Sequence, residues 1–134
     1  MKIAIDSNRY TDLCRGISAV VEIVESAEEI YVPLIVLAEQ RAGFAHGSAR
    51  QKNERVLTRF LNNPGVFVLA PDEQTTFFYA DIYAYLRTKG RPIPTNVLWI
   101  AALTVQHNLV LFDRDLDFDA LPQLARVGVP PDRA

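Results

Sequence analysis

Short apolar runs alternate along this chain with longer segments in which apolar residues recur every three or four positions. Residues 2–5 read as a buried strand, apolar at every position but Lys2. Asp6-Ser7-Asn8 carries helix-capping chemistry, and residues 9–15 are expected to form a helix that ends at Gly16. Ile17, Val20, Val21 and Val24 keep helical spacing, which predicts a second helix over residues 17–27. Ile30-Tyr31-Val32 is a second strand. Pro33 fits a first helical turn, where its missing N–H goes unused, so a helix is expected from Leu34 to about Ala45. A competing strand would run on through the β-branched Ile35 and Val36. Leu34, Leu37, Ala38, Arg41 and Ala42 favour the helix.

Ala49 to Leu61 is a charged amphipathic helix that turns Val56, Leu57, Phe60 and Leu61 inward. Asn62-Asn63-Pro64-Gly65 is a turn, and Val66 to Leu69 a third strand. Pro71-Asp72-Glu73 opens a helix to about Thr88, and Arg91 to Asn96 is a proline-punctuated loop. Thr95 or Asn96 is expected to cap a helix from Val97 to about Gln106, apolar nearly all round and so buried. Leu109 to Phe112 is a fourth strand, and a last short strand is expected near Arg126 to Val129. Strands alternating with helices predict an α/β fold, a parallel sheet covered on both faces, in one domain over residues 1–134.

Composition narrows the classes. Apolar residues at 49% and charged residues at 22% describe a globular chain rather than a disordered one. A net charge of −2 excludes a uniformly basic body that coats nucleic acid. Local patches survive that exclusion, in Arg41, Arg50, Lys52, Arg55 and Arg59 and in Arg87, Lys89 and Arg91. Cys14 stands alone, which excludes an internal disulfide framework and a cysteine-rich zinc site. No signal peptide is visible, and the apolar runs are too short to span a bilayer, so a cytoplasmic location without a membrane is expected.

The chemistry lies in acids that follow strands. Asp6 closes the first, and Asp113, Asp115 and Asp117 follow the fourth. In a parallel sheet these ends share one edge, where ligands bind. Glu39 falls in the second turn of the helix after strand two, just above that edge. Carboxylates brought together repel, and magnesium or manganese relieves the repulsion. Against this, Asp6 also suits a helix cap, and a helix glutamate commonly faces solvent.

Rival chemistries fail on particular residues. A calcium loop begun at Asp113 needs glycine and glutamate where Phe118 and Leu124 stand. His46 and His107 lie near helix ends without zinc spacing, and no nucleophile elbow or glycine-rich phosphate loop occurs. A receiver domain would need an acidic pair after strand one and a lysine late in the sheet; neither is present.

Four segments together resemble the PIN-domain ribonucleases, most closely the VapC-type toxins of toxin–antitoxin pairs. They are Ile3 to Asn8, Val32 to Glu39, Leu86 to Asn96, and Leu109 to Phe118. The resemblance implies a PIN-like three-layer α/β/α fold with a central parallel sheet of four to five strands. It implies a Mg2+-dependent endoribonuclease (Mn2+ as substitute) that leaves a 5′-phosphate and a 3′-hydroxyl on structured RNA such as transfer RNA. Asp6, Glu39 and Asp115 take the catalytic positions, Asp6, Asp115 and Asp117 the metal positions, and Ser7, Asn8, Asn96 and Asp113 supporting ones. A cognate antitoxin and a homodimer are the implied partners. One position departs: Val97 stands where the family pattern carries an aspartate after Asn96. Losing that ligand weakens cation binding by about tenfold or more, roughly 1.4 kcal/mol. The alternative is therefore an inactive PIN-fold module that binds RNA or an antitoxin without cutting.

Overall fold

The structure, a computed structural model, describes residues 1–128. Its elements run β1 (Lys2–Ile5), α1 (Ser7–Cys14), α2 (Ser18–Ser26), β2 (Glu29–Pro33), α3 (Leu34–His46), α4 (Arg50–Leu61), β3 (Val66–Leu69), α5 (Thr75–Thr88), α6 (Thr95–Gln106) and β4 (Val110–Phe112), closed by a 3-10 turn at Leu116–Ala120. The four strands form one sheet in the order β3-β2-β1-β4, every pairing parallel. The expected α/β sheet flanked by helices is present.

Topology decides where a site can lie. The chain steps from β1 to β2 to β3 in one direction, then crosses back to place β4 on the far side of β1. Right-handed crossovers put α1 to α4 on one face and α5 and α6 on the other. The reversal falls between β1 and β4, and a crevice opens outside the carboxyl ends at such a switch point. Ile5 pairs with Phe112, so the next residues, Asp6 and Asp113, stand side by side at that crevice. The Asp6 N–H donates to the Phe112 carbonyl at 3.0 Å and extends the ladder by one bond.

Strands β1 and β4 are buried, with Ile3, Ala4, Ile5, Leu111 and Phe112 fully enclosed. Helix α6 supplies Leu98, Ile100, Ala101, Ala102 and Leu103 to the same core, in keeping with its all-round apolar sequence. Phe118 and Leu121, also buried, pin the turn after β4.

Several boundaries differ from the sequence reading. Pro33 ends β2 opposite Leu69 instead of entering the helix, because its fixed φ suits an extended residue at a strand end as well as a first turn. Helix α5 starts at Thr75, not near Pro71. Asp72 accepts the Thr75 N–H at 3.1 Å, and the Thr75 hydroxyl accepts the Asp72 N–H at 2.9 Å, so Asp72 lies ahead of the helix, tied to its first residue. Helix α6 starts at Thr95 behind Pro94, which places Asn96 inside the first turn. The strand expected over residues 126–129 is a single parallel bridge from Arg126 to Leu111, and Val129 lies outside the described residues.

Candidate active site at the β1–β4 edge

Asp6 is the residue on which the site is centred. It occupies the N-cap position of α1, yet its side chain makes no capping bond to that helix. The capping role that its position suggested is therefore absent. It is 5% exposed, and no lysine, arginine or histidine among the described residues pairs with it. Burial raises its pKa most. The backbone N–H of Ser7 opposes this, while Glu39, Asp113 and Asp115 add to it, and the balance places the pKa at about 7. That list of neighbours also defines the site: acids from α3 and from the turn after β4 are close enough to act on Asp6.

Glu39 projects from the second turn of α3 and is held from two sides. The Ser7 hydroxyl donates to Glu39 Oε1 at 2.7 Å, and the Asn96 amide reaches Oε2 at 3.5 Å. The early start of α6 gives Asn96 this reach. Gln40, next in α3, donates to the Ser7 carbonyl at 3.1 Å and ties α3 to α1. Asn8, expected as a supporting residue, is exposed and makes no hydrogen bond to these acids.

The acids after β4 divide into two kinds. Asp113 is buried and engaged by Arg126, whose Nε and Nη2 donate to its two carboxylate oxygens at 3.0 and 2.6 Å. Asp115 is half-buried, accepts the Asp117 N–H at 2.9 Å, and has no ion pair on its carboxylate among the described residues. The Asp117 side chain is likewise without an ion pair there. Val97 is 8% exposed in the first turn of α6 and belongs to the hydrophobic core, next to the asparagine that reaches Glu39.

A second, fully paired cluster escaped the sequence reading. Arg9 and Asp12 of α1 are both buried, and Arg9 Nη1 donates to Asp12 Oδ2 at 3.2 Å. Arg114 completes a fork on Asp12 at 2.8 and 3.2 Å. Burial pushes the Asp12 pKa up, but Arg114 and Arg9 together hold it below its usual range. Arg9 also donates to the Asp113 carbonyl at 3.2 Å and lies 5.0 Å from the Phe112 ring centroid. The available signal was spacing: Arg9 and Asp12 sit one helical turn apart, flanking the apolar Tyr10 and Leu13.

The donors suit a hard divalent cation, since all are carboxylate oxygens and one is buried without a cationic partner. Among the described residues no three acidic, histidine or cysteine side chains close around one point. An ion here would therefore take one or two carboxylates directly and fill its shell with water, as magnesium does.

Known proteins bear on this arrangement. The PIN domain family matches residues 15–124, beginning after Asp6 and Ser7. The chain is similar to Ribonuclease VapC4 of Mycobacterium tuberculosis, 28% identical over 73% of this chain and 75% of that one. It is also similar to Toxin FitB of Neisseria gonorrhoeae, 34% identical over 66% of each. The VapBC-1 structure from nontypeable Haemophilus influenzae superposes with a TM-score of 0.83 at 25% identity, covering 95% of this chain and 97% of that one. A family match over most of the chain, joined to a parallel sheet with its acids at the switch point, means that the chain belongs to the PIN-domain family, and its similarity there runs to the VapC-type toxins.

Proposed function

We propose that this protein is a divalent-metal-dependent endoribonuclease, the toxin of a toxin–antitoxin pair, hydrolysing RNA phosphodiester bonds. The observation that carries the reading is the convergence of Asp6, Glu39 and Asp115 at the β1–β4 edge, with no ion pair to any of the three carboxylates among the described residues. Asp6 and Asp115 would hold Mg2+ or Mn2+ directly, with Asp117 beside them. When bound, the ion supplies neutralising charge for a phosphoryl group and lowers the pKa of water.

The chain's own residues do the rest. Asp6, with a pKa of about 7, holds a proton near neutrality until a cation displaces it. Ser7 and Asn96 aim Glu39 so that it can accept a proton from an attacking water. Arg50, Arg55 and Arg59 line a shallow groove of about 890 Å³ along α4, suited to a phosphate backbone. Arg87, Arg91 and Tyr83 line another, of about 350 Å³, that reaches Thr95 beside Asn96.

Ribonuclease VapC4 and the VapBC-1 complex support the toxin assignment and a cognate antitoxin as partner. An arginine or lysine from that antitoxin would satisfy the unpaired carboxylates. Exposed Phe77 and Tyr83 on α5 and Leu34 on α3 offer apolar area to a second copy, and light scattering should report a dimer. Among the described residues no helix is long and apolar enough to cross a membrane, in keeping with a cytoplasmic toxin.

Incubation of purified protein with transfer RNA and Mg2+ or Mn2+ tests the reading. Cleavage that chelator abolishes is expected. No cleavage in either metal supports the second reading, an inactive PIN module that binds RNA or antitoxin. Two observations favour that second reading: an apolar, buried Val97 beside the site, and, among the described residues, no ready-made cluster of three metal ligands.

A further inference from the structure

The cation reading leaves one acid without a role. Asp113 stands beside Asp6 at the end of the β1–β4 ladder, its side chain 1% exposed, yet both its carboxylate oxygens are taken. Arg126 donates to Oδ1 at 3.0 Å and to Oδ2 at 2.6 Å, and the Asp115 N–H donates to Oδ2 at 3.1 Å. The same guanidinium reaches Asp119 Oδ1 at 2.5 Å and the Asp115 carbonyl at 3.4 Å. Arg9 secures the Asp113 carbonyl from the opposite side at 3.2 Å. A bidentate fork with a further N–H occupies the lone pairs that a metal ion would need.

We infer that Arg126 is a positioning residue that withdraws Asp113 from the acids at the sheet edge. Arg126 offsets the charge of Asp113 and leaves the cation to Asp6 and Asp115, with Asp117 beside them. This rests on the divalent-cation reading above. Four bonds from one side chain to Asp113, Asp115 and Asp119 also fix the turn that presents Asp115 to Asp6.

Charge gives the two halves of the pair opposite effects. Arg126→Ala removes a positive charge and frees a carboxylate next to Asp6, so cation affinity rises. Asp113→Asn leaves the guanidinium facing the site alone, so affinity falls. Removing both returns the edge to its original charge. Two other roles predict different patterns. If Asp113 were a ligand, the double variant would bind as weakly as Asp113→Asn. If Arg126 only braced the turn, Arg126→Ala would weaken binding and Asp113→Asn would not repair it.

The experiment is a calorimetric titration of Mn2+ alone into the wild type, both single variants and the double variant, with folding checked by circular dichroism. Shifts of about tenfold in opposite directions are expected for the singles, the size of a unit charge acting over a few ångströms. The double variant should return to within about twofold of the wild type, a small difference on the free-energy scale. An unrescued double variant overturns the inference while leaving the cation reading intact. No Mn2+ binding by the wild type overturns both. Asp113→Asn and the double variant leave no carboxylate buried alone, so this pair decides the matter even where Arg126→Ala fails to fold.

Discussion

Asp113 and Asp115 are two residues apart on one turn, and the fold treats them oppositely. Asp113 is buried in a fork from Arg126, whereas Asp115 is half-buried, with no ion pair on its carboxylate among the described residues. The same contrast separates the ends of α1, where Asp6 is buried and unpaired and Asp12 is buried between Arg9 and Arg114. Burial alone does not mark a functional acid. The absence of a countercharge does, because an unpaired buried carboxylate is unfavourable until a ligand arrives to match it.

The comparison is easiest to break at Asp12. Asp12→Ala leaves Arg9 charged and buried without its partner, and stability should fall by about 3–5 kcal/mol in chemical denaturation. A loss below about 1 kcal/mol, the range of an exposed pair, would remove Asp12 from the structural class.

Asp6 should behave with the opposite sign. Its folded pKa of about 7 lies above the ordinary aspartate value of 3.8, so the stability it contributes is complete below the unfolded pKa. That contribution is lost as pH rises through about 7. In chelator the wild type should lose at most roughly 4 kcal/mol across this window, and Asp6→Asn should flatten the profile. A wild-type profile that rises with pH over the same range would show that Asp6 has a cationic partner in solution.

Val97→Asp sharpens the contrast by adding an acid to the unpaired group. The first turn of α6 tolerates negative charge, since the helix dipole is positive at that end. Mg2+ affinity should rise about tenfold by calorimetry, with a loss of metal-free stability of about 1–3 kcal/mol from burying a charge. Unchanged affinity would place residue 97 outside the site. The smallest effect belongs to Arg41 and Glu54, an exposed pair at 2.9 Å. Arg41→Ala should leave the chemical-denaturation midpoint almost unchanged, and still less altered at high salt.

Much of this was legible in the residues. Short apolar runs gave the strands, and strand-end acids in a parallel sheet had to meet at one edge, which brought Asp6 near Asp113 and Asp115 across most of the chain. The division among those acids was not legible. It depends on Arg114 and Arg126, whose carboxylate partners lie 102 and 13 residues away, and nothing local separates such an arginine from a solvated one; only Arg9, one helical turn from Asp12, left a local trace. Glu39 was placed by position, but its orientation by Ser7 and Asn96 depends on α6 beginning two residues before the predicted start. Pro94 causes that shift, because proline restricts the residue before it and suits the turn ahead of a helix.

The central claim is that the unpaired acids form a cation site in which Asp6 is indispensable. Titration of Mn2+ into the wild type and Asp6→Asn at pH values on either side of 7 tests it most directly. Binding should weaken in the wild type as pH falls through about 7, where a proton competes for Asp6, and should be lost in Asp6→Asn at every pH. Equal binding by the two proteins, or binding that ignores pH across that range, would contradict the account.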